Sequence, residues 1–162
     1  MKNLKLFALL VALSTLFMGC PYSTEVPIDN ANIKIDQKLL GKWESKSSST
    51  ETYNIHKADE YTYKITKLNS SSPTDTATYM AYLSEINGIR FFNIWELAAS
   101  TKTYYLYKLE LSGSGAKITM SPVTENIEEK FTTSADLKKF VQTNMGLSFF
   151  YSKDKEEYIR AD

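Results

Sequence analysis

The sequence has little of what enzyme active sites usually require. Its 162 residues include one cysteine, Cys20, and one histidine, His56. An intramolecular disulfide is therefore excluded. A Ser-His-Asp triad, a Cys-His pair or a histidine-rich metal site would each depend on His56 or on a usable thiol. His56 falls on the polar face of a predicted strand, so we expect an exposed side chain and predict no catalysis, metal or cofactor.

Glycine and proline are also scarce, at six and four residues, which argues against a repeat-type or disordered chain. The formal net charge is zero, and no basic patch supports nucleic-acid binding. Adjacent residues on a strand point to opposite faces, so paired carboxylates in sequence do not form the acid pair of a glycosidase. We interpret three such doublets as solvated surface: Asp59-Glu60, Glu128-Glu129 and Glu156-Glu157.

The first twenty residues form the most distinctive stretch. Lys2 and Lys5 precede an almost wholly apolar run over residues 6–18, and Gly19 then stands before Cys20. The run has the length of a signal-peptide core and is shorter than the roughly 18–20 residues that span a bilayer. The segment resembles a bacterial lipoprotein leader, which implies cleavage between Gly19 and Cys20 and a lipid on Cys20.

This resemblance implies a signal peptide at 1–19, a lipidated tether at 20–38 and a folded domain at 39–162. In such lipoproteins the cysteine carries a diacylglycerol and usually an amide-linked acyl chain such as palmitate. Each buried methylene contributes about 0.8 kcal/mol, so more than one chain makes the attachment lasting. We expect a location in the bacterial cell envelope, with the outer membrane favoured because the residue immediately after Cys20 is not an aspartate. Cleavage at another position and retention of the leader as an uncleaved anchor stay open as alternatives.

The aromatic content, with eleven Tyr, eight Phe and two Trp, favours strands. Alternating apolar residues predict two hairpins, the second turning at Asn87-Gly88, the preferred pair for a type I′ turn. Strands of this second hairpin are apolar on both faces, so either another element covers them or they form an interface. The strands predicted after Gly41-Lys42-Trp43 are 52–57, 61–66, 78–86, 89–97, 103–111, 117–120, 147–152 and 156–160.

One helix is predicted late in the chain. Thr133 can cap it, with Asp136 as its partner in a capping box, and Gly146 is placed to end it. Its apolar residues recur at helical spacing and form one stripe, which could cover the second hairpin. These residues are Leu137, Phe140, Val141 and Met145.

Gly41 and Trp43 resemble the Gly-x-Trp motif of the lipocalin and lipocalin-like families. The resemblance implies a Trp packed across the closed end of a barrel and covered by an arginine from the last strand, here Arg160. With the strand count, it predicts a mainly β fold: an antiparallel lipocalin-like barrel of about eight or nine strands with one helix outside. The alternative is that Trp43 is an ordinary core aromatic in another β domain.

Two functions follow from these expectations. In the first, a membrane-anchored lipoprotein binds a small apolar ligand or lipid in its barrel. In the second, a structural or protein-interaction lipoprotein of the envelope has a filled barrel and no ligand, and the doubly apolar strands of 78–97 are its contact surface. The candidate lining of an open barrel is Trp43, Tyr53, Tyr61, Tyr63, Phe91, Tyr105 and Tyr107, and the same residues would form the core of a filled one.

Overall fold

Nine strands and one α-helix make up the regular structure of residues 22–72 and 74–161, which the computed structural model describes. The predicted signal peptide, its cleavage site at Gly19 and the lipidation site Cys20 lie outside these residues. The strands are β1 (Ser23–Thr24), β2 (Gly41–Ser45), β3 (Glu51–Lys57), β4 (Thr62–Asn69), β5 (Ala77–Ile86), β6 (Ile89–Glu96), β7 (Tyr104–Leu111), β8 (Lys117–Pro122) and β9 (Glu156–Arg160); the helix is α1 (Ser134–Asn144).

Strands β2 to β9 form a closed antiparallel barrel of eight strands. Each pairs with the next along the chain, and β9 returns to pair with β2, so that Arg160 lies opposite Trp43. Strand β1 lies outside the barrel and pairs with the start of β7, with Ser23 opposite Tyr105. The predicted mainly β class, the antiparallel barrel and the single helix packed outside it are confirmed.

The second hairpin turns where the sequence predicts. Asn87 and Gly88 both have positive φ, 52° and 78°, as a type I′ turn requires. The prediction of a strand over 147–152 is wrong. This segment forms a 3₁₀ turn, Ser148–Phe150, followed by a single β-bridge between Tyr151 and Val123. Phe150 is buried 6.1 Å from the ring of Phe140 in α1, and this packing holds the segment outside the barrel wall.

A second apolar layer covers the outer faces of β5, β6 and β7. Helix α1 buries Leu137 and Val141 in this layer, and its Thr133 hydroxyl caps the first turn by accepting from the N–H of Asp136 at 3.2 Å. The helix therefore covers the doubly apolar hairpin, as its two-sided pattern predicts. Gly146 does not adopt the left-handed conformation expected of it; Met145 follows the last helical residue with helical backbone angles.

The segment before the barrel also belongs to this layer and differs from the extended tether predicted for 20–38. Ile28 is fully buried, and its N–H donates to Asn93 Oδ1 at 2.8 Å, while the Asn93 amide donates to Ser84 Oγ at 2.8 Å. Ser84 also contacts Asp29, which forms a 2.9 Å ion pair with Lys138 of α1. Residues 22–31 thus form a strap that this polar network fixes to both the barrel and the helix.

One end of the barrel is sealed by Trp43 and Arg160. The guanidinium carbon of Arg160 lies 4.4 Å from the centroid of the Trp43 ring, where the lipocalin resemblance places it. Arg160 donates to the carbonyls of Leu40 at 2.9 Å and Gly115 at 3.1 Å, and also to that of Lys38. The Trp43 indole donates to the carbonyl of Leu39 at 2.9 Å. The 3₁₀ turn Gln37–Leu39 is therefore held across this end.

The contact between Trp43 and Arg160 favours glycine at position 41. Its φ is +120°, and a Cβ placed on it would lie 2.9 Å from Nη1 of Arg160. Both the backbone angle and the close approach of the guanidinium therefore disfavour a larger residue.

We predict that Gly41→Ala lowers the free energy of unfolding by about 1–3 kcal/mol. The matched control is Gly113→Ala, since Gly113 has no positive φ and a Cβ added to it would meet no atom within 4 Å; its effect should stay within about 0.5 kcal/mol. Urea denaturation of both variants measures the difference. Equal effects would contradict the proposed crowding at Gly41.

Candidate ligand-binding cavity

The barrel interior contains a cavity of about 370 Å³ between the sealed end and the opposite, open end. On some strands the inward-facing side chains change from apolar to charged toward the opening. On β6 the order is Phe92, Ile94 and Glu96, and on β4 Ile65 is followed by Lys67. The cavity is therefore apolar near the sealed end and charged at the rim. Its lining residues are Trp43, Tyr53, Ile55, Ile65, Lys67, Tyr79, Phe92, Ile94, Glu96, Tyr105, Tyr107, Ile118, Met120, Glu156 and Tyr158.

Five tyrosines line the cavity: Tyr53, Tyr79, Tyr105, Tyr107 and Tyr158. The rings of Tyr53 and Tyr158 meet edge to face at 5.0 Å. The Tyr53 hydroxyl donates to Glu51 at 3.1 Å, and that of Tyr158 donates to Glu156. Within the part of the chain that the structure describes, the hydroxyls of the other three tyrosines make no hydrogen bond to another residue. They are available to a ligand.

Ionisation of Tyr53, Tyr107 and Tyr158 is suppressed. Burial raises the pKa of Tyr158 far above its ordinary value of 10, and the neighbouring Glu156 carboxylate adds to the effect. Burial likewise raises the pKa of Tyr107, again with a contribution from Glu156, and that of Tyr53, with a contribution from Glu51. The hydroxyls of these three tyrosines therefore remain neutral hydrogen-bond donors at any physiological pH.

Lys67 is the cation of the rim, and it is already paired. Its Nζ lies 2.7 Å from Glu51 Oε1, with both side chains about one quarter exposed. The hydrogen bond to Glu51 raises the pKa of Lys67, so the lysine stays charged while its charge is compensated locally. The rim carboxylates Glu96 and Glu156 have no such cationic partner among the described residues.

Four of the seven predicted lining residues do line the cavity: Trp43, Tyr53, Tyr105 and Tyr107. Tyr63 points into the barrel but belongs to its sealed end, where its hydroxyl accepts from the N–H of Asp36 at 2.6 Å. Burial raises the pKa of Tyr63 to about 12, so it too stays protonated. Arg90 completes this end through a 3.0 Å ion pair with Asp36.

The other two predicted lining residues, Phe91 and Tyr61, lie elsewhere. Phe91 is fully buried on the outer face of β6, under the second apolar layer, and Tyr61 precedes β4 outside the cavity. Phe91 and Phe92 are adjacent on a strand that is apolar on both faces, so the pattern alone could not assign them to inside and outside.

The interpretation of Glu156-Glu157 as solvated surface is wrong for the first of the two. Glu156 points inward and lines the cavity, whereas Glu157 points outward between Lys46 and Lys117. Hydrogen bonds from Lys117 and Lys46 lower the pKa of Glu157 to about 2. Alternation along β9 separates the doublet, and only the closed barrel shows which member faces the interior.

His56 is exposed on the outer wall, opposite Lys64 of β4, as its place in the strand pattern predicts. Residues 22–72 and 74–161 contain no group of three or more His, Cys, Asp or Glu side chains arranged to hold a metal ion. In the same residues, no helix has the length and apolar character needed to cross a membrane.

No family model, no curated protein and no solved structure matches this chain. The role of the cavity therefore has to be inferred from its own geometry and chemistry.

We predict that the fold loses stability steeply above about pH 10. The unfolded chain releases its tyrosine protons there, whereas the folded chain retains those of Tyr53, Tyr107 and Tyr158. Because the folded state then binds more protons, the free energy of unfolding falls as the pH rises. Tyr158→Phe should reduce this slope by up to about 1.4 kcal/mol per pH unit.

Urea denaturation between pH 9 and pH 11.5 measures the slope for the wild type, for Tyr158→Phe and for the control Tyr61→Phe, outside the cavity. An unchanged slope in Tyr158→Phe would contradict the suppressed ionisation of Tyr158.

Proposed function

We propose that this chain is a lipid-anchored, lipocalin-like protein of the bacterial envelope that binds one small, mostly apolar ligand or lipid. The observation that carries the proposal is the cavity of about 370 Å³ in a barrel sealed at one end and open at the other. Its volume lies in the range of ligand pockets, roughly 300–1,000 Å³. Apolar walls with a few convergent polar groups are typical of such pockets.

The contact of Gly41, Trp43 and Arg160 supports the lipocalin-like part of the proposal. These three residues meet at the sealed end in the arrangement that the family resemblance implies. Because this end is sealed, the proposed binding space lies toward the other end of the barrel. The tyrosines that line it come from strands that are far apart in the sequence.

The proposed anchor is the lipid on Cys20, two residues before Tyr22. Tyr22 is buried and its N–H donates to the carbonyl of Val123 at 3.0 Å, next to the bridge between Val123 and Tyr151. Two residues reach at most about 7 Å. A lipidated Cys20 would therefore hold the barrel wall directly at the membrane surface, without a long linker, on the outer membrane in our proposal.

The second candidate, a structural or protein-interaction lipoprotein, receives less support. It requires a filled barrel, and the interior has an open cavity. It also uses the outer face of 78–97 as its contact surface, and helix α1 and the strap cover that face. We propose binding rather than catalysis, because His56 lies outside the barrel and cannot act on a ligand in the cavity.

Cys20→Ala should abolish acylation. Cells fed an alkyne-labelled fatty acid are expected to label the wild type and not the variant, and the wild-type protein should carry the mass of the lipid on residue 20. The control is Ser23→Ala, which alters a nearby residue and should label normally. A wild type as unlabelled as Cys20→Ala would overturn the anchor.

Met120→Trp should block the cavity. Met120 lines it from β8, so a larger side chain reduces the space for a ligand. We expect the affinity for an apolar probe such as N-phenyl-1-naphthylamine to fall at least about tenfold, a loss of roughly 1.4 kcal/mol. Fluorescence titration gives the dissociation constants.

The matched control is Met80→Trp. Met80 pairs with Lys64 of β4 and Trp95 of β6. It is one position away from the inward-facing residues Tyr79 and Ala81, so its side chain lies on the outer wall of the barrel. It should leave probe binding unchanged. Equal binding by Met120→Trp and the wild type would show that the probe does not occupy the barrel.

A further inference from the structure

The rim of the cavity has an uneven charge balance. Its charged side chains face inward at the open ends of four strands: Glu51 on β3, Lys67 on β4, Glu96 on β6 and Glu156 on β9. Glu51 and Lys67 neutralise each other at 2.7 Å. Among the described residues, two carboxylates of the rim remain without a cation.

These two carboxylates stand next to tyrosines that line the same space. Glu96 lies directly opposite Tyr79 in the β5–β6 ladder, and Glu156 accepts from the hydroxyl of Tyr158. The negative charge of Glu96 and that of Glu156 contribute to the raised pKa values of Tyr79 and Tyr107 respectively, after the larger effect of burial. Each of the two carboxylates therefore lies beside a tyrosine at the opening.

A ring of tyrosines suits a cation for a second reason. The face of an aromatic ring attracts ammonium groups within about 6 Å of its centroid, and the attraction grows as the cation is desolvated. Tyrosine rings and carboxylates without a cationic partner both attract a positive charge. The apolar part of the cavity suits an uncharged chain.

We propose that the ligand is a cationic amphiphile: an apolar chain that enters toward Trp43 and Phe92, with an amine or quaternary ammonium group held at the rim by Glu96 and Glu156. This inference rests on the proposed function as a binding protein and specifies the ligand class. An anionic headgroup is disfavoured, because Lys67 is already paired with Glu51 and the head would lie beside two carboxylates.

The test compares three ligands with the same ten-carbon chain: decylammonium, decanol and decanoate, each below its micelle concentration. The full chain, as the cell processes it, is placed in phosphatidylcholine nanodiscs and titrated by calorimetry, with empty nanodiscs as the blank. At low salt we expect the affinity for decylammonium to be at least about tenfold higher than that for decanoate. A difference of this size is expected for charges a few ångströms apart near a protein surface. Decanol should lie between them, and added salt should reduce the difference.

The double variant Glu96→Gln/Glu156→Gln should lose the preference for decylammonium and keep its affinity for decanol. The matched control is Glu128→Gln/Glu129→Gln, which removes the same charge from exposed residues outside the cavity and should behave as the wild type. Decanol binding with no preference for decylammonium would overturn the inference and leave the binding function standing. A failure of all three ligands to bind would overturn the proposed function and the inference with it.

Discussion

Closure of the barrel by the pairing of its last strand with its first is the interaction on which the rest of the structure depends. Trp43 and Arg160 stand opposite each other in that pairing, and their contact seals one end. Without β9, both β2 and β8 would present unpaired edges, which are sites of aggregation. The same contact leaves the opposite end of the barrel as its opening. Since the paired residues lie far apart in the described chain, this pairing carries a larger loop-closure entropy than the hairpins between neighbouring strands.

The two-sided strands explain why the fold has a second layer. A closed barrel of this size encloses only the inward half of each strand, yet β5 to β7 also carry Tyr82, Phe91 and Leu106 outward. The strap and helix α1 together cover this surface, and the network from Asn93 to Lys138 satisfies the polar groups beneath them. The strap, residues 22–31, is thus part of the folded domain.

The sequence was sufficient for the class of fold, the second hairpin and the capped helix, because each depends on local patterns. Alternation of apolar and polar residues indicates a strand, and Asn87-Gly88 indicates a tight turn. Thr133 with Asp136 indicates the start of a helix. The sequence was insufficient wherever a residue's location depended on which face of its strand points into the barrel. Phe91 and Phe92 differ by one position and lie on opposite sides of the wall, and no local signal separates them.

The same limit applies to the strap and the rim. Tyr22 and Ile28 lie among polar residues at irregular spacing, so only the apolar surface they cover reveals that they are buried. Glu96 and Glu156 have the appearance of surface charges in sequence, and their role at the cavity arises from strands distant in the chain that converge at the open end. A site assembled from so many strands has no compact motif in the sequence.

Tyrosine rather than phenylalanine in the middle of the barrel is the strongest argument that the cavity is functional. In a filled core, a buried hydroxyl without a partner costs roughly 1–3 kcal/mol, and phenylalanine at Tyr79, Tyr105 or Tyr107 would avoid that cost. These hydroxyls are tolerable only if they meet solvent or a ligand. Their neighbours Glu96 and Glu156 add the same requirement, since a carboxylate is stable at the rim only while it is solvated or paired. The interior thus gives up packing energy at the positions where a ligand with a polar, positively charged end would recover it.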